Sequence, residues 1–168
     1  FPVITIGFFV ILGIFEKEFI LPGGLRKHSG LKNATFHNCK LGDNILIENI
    51  HNYIANYFIE DNCFIENVDI IVTDGVSSFG NNVQVSVLNE TGGREVPIYD
   101  NLSAPLAYII ALYRHQPKLI ERLQELIAEY TKSITTDCGT ISENTKIINT
   151  GTIRNVNIGQ YTTIENCT

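Results

Sequence analysis

The sequence predicts a mainly β protein: a parallel β-helix of six-residue repeats, interrupted once by a pair of α-helices. Three observations predict it. Large apolar residues recur at six-residue steps, with Leu41, Ile47, Tyr53, Ile59, Ile65 and Ile71 in one column; Phe19, Leu25 and Leu31 upstream and Val83 downstream keep the same grid. A longer period of 18 lies on top of this one, because Leu41–Ile50 aligns with Ile59–Val68. The pattern also returns after a gap, where Thr152–Gly159 repeats Thr35–Gly42 at a distance of 117 residues, down to a shared five-residue step. A fixed internal period is the signature of stacked units. Eighteen residues make three six-residue sides, one turn of a triangular coil, whose strands lie about 4.8 Å from those of the next coil.

The first segment, residues 1–24, is an N-terminal strand or cap. Phe1–Phe15 is strongly apolar and uncharged. It is shorter than the roughly 20 residues of a membrane helix, and it lacks the basic start and small-residue cleavage site of a signal peptide. Ile14–Ile20 mixes charged and apolar residues as a half-exposed strand does. Val3–Leu21 therefore reads as one or two strands; a membrane or signal segment and a non-native extension are the alternatives. The chain has no Met, even at position 1, and Thr168 falls within a repeat, so a fragment of a longer protein is expected.

Residues 25–88 form the coils, with the column buried. Three residues after successive column positions stand Asn44, Asn56, Asn62, Asp74 and Gly80, residue types that tolerate left-handed backbone at a corner. The 18-residue offset puts Asn44, Asn62 and Gly80 in one row and Asn56 with Asp74 in another. Ile50, Val68 and Ser86 fill the third row, so that corner is expected to turn differently.

Residues 89–132 leave the grid as a loop and a helical hairpin. Leu106, Ile109, Ile110 and Tyr113 mark one amphipathic helix, with Ser103 as N-cap and Pro105 in the first turn. Leu119, Ile120, Leu123, Leu126, Ile127 and Tyr130 mark a second that starts at Pro117. The break falls at His115–Gln116, because the residue before proline avoids helical backbone. With two apolar faces the hairpin needs something to pack on: it is a buttress or oligomer contact, or alternatively a wall over a ligand site. In residues 133–168 the coils resume, with Ile141, Ile147, Ile153, Ile158 and Ile164 in the column.

Composition is globular, at 44% hydrophobic and 18% charged with a net charge of −6. The scattered Lys and Arg give no basic face, which argues against a nucleic-acid partner. Cys39, Cys63, Cys138 and Cys167 form no C-x-x-C pair, so no metal site is expected. Free thiols fit a reducing cytoplasm.

The hexads Leu41–Leu46, Ile59–Phe64 and Ile158–Thr163 resemble the hexapeptide repeat of bacterial acyltransferases and sugar-nucleotide enzymes. That resemblance implies a left-handed parallel β-helix. Through Ile47–Tyr53, Asn89–Glu95 and Ala111–His115, the stretch Gly24–Thr168 also resembles long, uncharacterised bacterial hexapeptide-repeat proteins. Some of these carry the label UDP-N-acetylglucosamine pyrophosphorylase-like. The resemblance implies part of a transferase acting on a sugar or nucleotide-sugar, by acyl or nucleotidyl transfer, with acyl-CoA or a nucleotide-sugar bound; the hairpin offers a contact for a homo-oligomer. The glycine-rich nucleotide loop of a pyrophosphorylase is absent from this sequence.

Two groups of residues are candidates for chemistry. His51 and Asp69 are 18 apart, which places them on adjacent coils within reach of an imidazole–carboxylate hydrogen bond, the arrangement of an oriented general base. Strand parity opposes this by pointing both toward the column side, where they would form a buried, mutually satisfied pair. Asn89, Gly92, Gly93 and Arg94 sit where the coils give way to the insertion; the glycine N–H groups and the guanidinium suit an anion, and a plain turn is the alternative. Arg114 and His115 suit a helix C-terminus. The rival to the enzyme is a non-catalytic β-helix scaffold or ligand-binding module.

Overall fold

The computed structural model describes residues 3–87 and 95–167, and the chain divides into two compact units. One comprises Phe1–Val76 with Asp137–Thr168, the other Ser77–Thr136. The protein is mainly β, its large sheet is parallel, and two helices are present. Among the described residues, no helix is long and apolar enough to cross a membrane.

The first unit starts with β1 (Ile4–Ile6), β2 (Val10–Ile11) and β3 (Glu18–Ile20), followed by β4 (Arg26–His28) and β5 (Gly30–Lys32). Two long strands lead onward, β6 (Ala34–Leu41) and β7 (Leu46–Ile59), then β8 (Phe64–Val72). In the second unit, β9 (Val83–Ser86) and β10 (Glu95–Ile98) precede α1 (Ala104–Leu112) and α2 (Pro117–Ile134). The chain then rejoins the first unit with β11 (Gly139–Ile141), β12 (Lys146–Arg154) and β13 (Thr163–Glu165).

Successive turns of the first unit lie side by side in parallel. The order is β1-β6-β7-β8-β12-β13, with β2 also on β6 and β5 and β11 on β7. Phe36 pairs with Ile54, and Leu41 with Ile59, at the 18-residue offset. Leu46 pairs with Phe64 and Ile50 with Val68 at the same offset. The stack runs across the insertion: Ile59 faces Ile141, Ile65 faces Ile147, and Ile147 faces Ile164. Phe36, Leu41, Ile47, Ile59, Ile65, Ile71, Ile141 and Ile147 share one core cluster. Each such side chain contributes about 1.5–3 kcal/mol by leaving water.

Tyr53 departs from the predicted column. The register between β7 and β8 slips between Ile50 and Tyr53, so that Tyr53 pairs with Ile70 and Ile54 with Ile71. From Ile50 to Ile54 the chain takes one residue more than from Val68 to Ile71. The extra residue is a β-bulge, and it moves the core position from Tyr53, 38% exposed, to Ile54, 0% exposed.

The corners are more uniform than the sequence rows implied. Asn44, Asn62 and Asn144 have positive φ, as do Asn38, Asn56 and Asn155. The third corner does not turn differently: it lies one residue before Ile50 and Val68, at Asn49, Asn67 and Asn149, with φ of 50–56°. Asparagine visits this region because its short polar side chain bonds locally. Asn67 Nδ2 donates to Asn149 Oδ1 at 3.0 Å, Asn149 to Asn166 at 3.2 Å, and Asn38 to Asn56 at 2.9 Å. Asp74 and Gly80 are not in these rows; Asp74 N–H donates to Asn155 Oδ1. Gly42 occupies a corner with no room for a side chain, since a Cβ there would fall 2.4 Å from Asp61 Oδ1.

Phe19 and Leu25 also leave the grid. Phe19 belongs to a separate antiparallel pair, β3 on β4, and Leu25 follows the Pro22–Gly24 turn that joins the two strands. Val83 lies in β9, which pairs antiparallel with β10 within the second unit. There the helices start as expected: Ser103 caps α1 by accepting from Leu106 N–H, and Pro117 opens α2. Val96, Ile110, Ala111 and Ile127 are the buried core of this unit.

Candidate functional site

The bulge decides the fate of the His51–Asp69 pair. The extra residue between Ile50 and Ile54 expels His51, Asn52 and Tyr53 together, and all three are exposed. The parity expectation of a buried imidazole is thereby corrected, because parity assumes an unbroken strand. The Asp69 carboxylate is bonded instead by Asn52 Nδ2. Among the described residues no hydrogen bond joins His51 to Asp69. What remains is an imidazole presented to solvent on a rigid wall, one strand from a carboxylate that a neighbouring amide holds.

Asn89, Gly92, Gly93 and Arg94 lie outside the described residues. The adjoining Glu95 carbonyl accepts from Arg114 Nη2 at 2.8 Å, so Arg114 ties β10 to the end of α1 in addition to sitting at a helix terminus. His115 stacks near Tyr113, with ring centroids 5.5 Å apart.

Cys39, Cys63 and Cys138 are poor nucleophiles. Burial pushes Cys39 and Cys63 up to about 11, and both donate to backbone carbonyls. Burial also raises Cys138. Among the described residues no group of three or more His, Cys, Asp or Glu is arranged to hold a metal. Tyr57 is fully buried and its hydroxyl donates to Val156 O at 2.7 Å. It pairs in register with Gly139, where a Cβ would collide with the tyrosine ring. Tyr57 therefore fastens the seam where the chain re-enters the stack, a structural role.

A second arrangement was not visible from repeat spacing. The β3–β4 hairpin lies against the wall of β7, β8 and β12. Lys27 Nζ donates to Glu48 at 3.0 Å and to Glu66 at 2.8 Å, and all three side chains are only 19% exposed. Glu48 and Glu66 are register partners on adjacent strands, so Lys27 relieves a like-charge contact that destabilises cross-strand pairs. Burial works against the Lys27 charge, but the two carboxylates outweigh it and hold the ammonium above its ordinary range. Phe19 meets Phe64 with ring centroids 5.6 Å apart. Between hairpin and wall is an open cleft of about 290 Å³, lined by Phe19, Phe64, Asn62, Asn144, Thr145 and Lys146 among others. The signal that could have revealed it is the charge row Glu48–Glu66, two acids at the 18-residue offset that need a cation from outside the stack.

Residues 3–168 match the model of the family described as Domain of unknown function (DUF4954). A protein of Treponema pallidum (strain Nichols), described as an uncharacterized protein, is 24% identical over 142 residues. The match covers 78% of this chain and 20% of that relative, so the chain spans about a fifth of the relative's length. No solved structure matches. The chain belongs to the DUF4954 family.

Proposed function

We propose that this chain is a left-handed hexapeptide β-helix segment of a transferase that acts on a sugar or nucleotide-sugar by acyl or nucleotidyl transfer. The observation that carries the reading is the bulge. It places His51 in solvent one strand from Asp69, and an accessible base near a carboxylate is what general-base transfer needs. In this reading His51 takes the proton from an attacking sugar hydroxyl. Asp69, held by Asn52, lies on the adjoining strand. Arg94, with the Gly92 and Gly93 N–H groups, binds phosphate of a nucleotide-sugar or acyl-CoA. The left hand is supported by hexads with a positive-φ Asn at each of the three corners. A cytoplasmic location is supported by two buried free thiols, and a homo-oligomer by the apolar faces of the helical hairpin.

The second reading is a non-catalytic scaffold or ligand-binding module. One observation favours it: the Asp69 carboxylate bonds Asn52 and leaves His51 unoriented. The test is a thermal-shift and turnover screen of the full-length protein with acyl-CoA, nucleotides and nucleotide-sugars, beside His51→Ala and Arg94→Ala. The transferase reading expects His51→Ala to abolish turnover with an unchanged melting temperature, and Arg94→Ala to weaken ligand binding. No turnover in any combination, with both variants silent, would leave the scaffold.

A further inference from the structure

The two helices of the second unit present different outer faces. α2 is amphipathic in the ordinary way: Ile120 and Ile127 are buried, and Lys118, Glu121, Arg122 and Glu125 are exposed. α1 is not. From Ala104 to Tyr113 the chain has no charged residue. Leu106, Ala107, Ile110 and Ala111 pack inward with Val96 and Ile127. The opposite side is apolar too. Pro105, Tyr108 and Leu112 follow at steps of three and four and form one ridge, with Tyr108 58% and Leu112 39% exposed. A surface helix turns polar residues that way. The exposed Tyr113 extends the ridge, its ring 6.4 Å from that of Tyr108 and 5.5 Å from that of His115. Rigid aromatic groups give up little entropy on contact and are enriched at the centre of protein interfaces.

Opposite charges flank this ridge. Asp100 precedes α1 and is exposed; its carboxylate accepts from the Tyr130 hydroxyl and, among the described residues, pairs with no cation. Lys118 follows α1, is exposed and, among the described residues, makes no ion pair. Arg114, at the same end, is already engaged by the Glu95 carbonyl. An apolar ridge with an acid before it and a base after it is complementary to its own copy turned end for end. Two such ridges crossing antiparallel set Asp100 of each chain toward Lys118 of the other and oppose the two helix dipoles. The nine residues of α1 span about 14 Å, less than a standard interface of about 800 Å² per partner needs, so the association is weak and concentration-dependent.

We infer that the outer ridge of α1 is the contact through which two copies of this chain associate about a two-fold axis, with Tyr108 at its centre and Asp100 opposite the partner subunit's Lys118. The inference rests on the homo-oligomer of the proposed function, to which it gives a place and a symmetry, and is independent of the transferase reading.

Analytical ultracentrifugation of the 168-residue chain from micromolar to millimolar concentration tests it. The parent should show a monomer–dimer equilibrium. Tyr108→Glu sets two like charges together at the axis and should weaken the dimer at least about tenfold. Lys118→Glu, an acid that the start of α2 accommodates, should weaken it about fivefold, and adding Asp100→Lys should restore it because the reversed pair is complementary again. All these positions are exposed, so the helical circular dichroism signal should stay at the parent's level. A monomer at every concentration would overturn this contact and the homo-oligomer together. A dimer indifferent to Tyr108→Glu, or a double variant no tighter than Lys118→Glu alone, would overturn the α1 ridge while the homo-oligomer stands.

Discussion

Ile54 and Tyr53 are adjacent, and the six-residue grid and the folded chain disagree about which of them belongs to the core. The grid selects Tyr53; the register selects Ile54, fully buried and paired with Phe36 on one side and Ile71 on the other. Truncating Ile54 to alanine removes the transfer energy of the lost carbons and leaves a cavity among close-packed residues, a cost of about 2–5 kcal/mol. Truncating Tyr53, whose hydroxyl has no partner among the described residues and whose side chain is 38% exposed, should cost within about 1 kcal/mol. Urea unfolding followed by far-ultraviolet circular dichroism measures both, on condition that the transition slope matches the parent's, because stacked repeats can lose cooperativity. Tyr53→Ala as damaging as Ile54→Ala would refute the bulge, and with it the exposure of His51.

Three further outcomes follow from the same geometry. Asn67→Ala should destabilise by about 1–2 kcal/mol, since alanine is strained at positive φ and the amide bond to Asn149 is lost, whereas Asn67→Gly should recover the backbone part; equal losses in the two variants would deny the left-handed corner. Lys27→Met should cost about 1.5–3 kcal/mol by leaving Glu48 and Glu66 facing each other. Because the folded protein holds Lys27 above its ordinary range, its contribution is fully present below the usual lysine range and disappears as pH rises through the raised value; an alkaline stability profile identical in parent and variant would contradict this. Replacing Ser77–Thr136 with a short glycine-serine linker should remove the helical circular dichroism signal and keep the β signal, because β8 and β12 already pair directly; loss of both signals would show that the second unit is needed to fold the first.

How much of this was legible in the sequence varies with the kind of force involved. The column Leu41, Ile47, Ile59, Ile65, Ile71 and its return at Ile141 and Ile147 could be read because burial in a coil repeats with the chain's own period. The helix starts at Ser103 and Pro117 could be read because capping is local. The bulge could not, because a six-residue step from Ile47 to Tyr53 is apolar either way and only the neighbouring strand reveals the extra residue. The third corner was missed by one position for a related reason: counting from the column put Ile50 and Val68 at the turn, although Asn49 and Asn67 were the better turn formers. His51 and Asp69 were placed on adjacent coils correctly, but their bonding depended on the bulge. The cleft depends on the β3–β4 hairpin: Phe19 falls on the six-residue step yet pairs outside the stack, and the one spacing signal is the row of two acids, Glu48 and Glu66, that Lys27 bridges.

Successive turns of the chain stack in parallel, continuous across the insertion, and we propose that the stack is left-handed. A crystal structure of the 168-residue chain tests it most directly. Left-handed turns are expected, with Ile47, Ile65, Ile147 and Ile164 aligned in one interior file. Right-handed turns, or Ile65 and Ile147 on strands that do not adjoin, would contradict it.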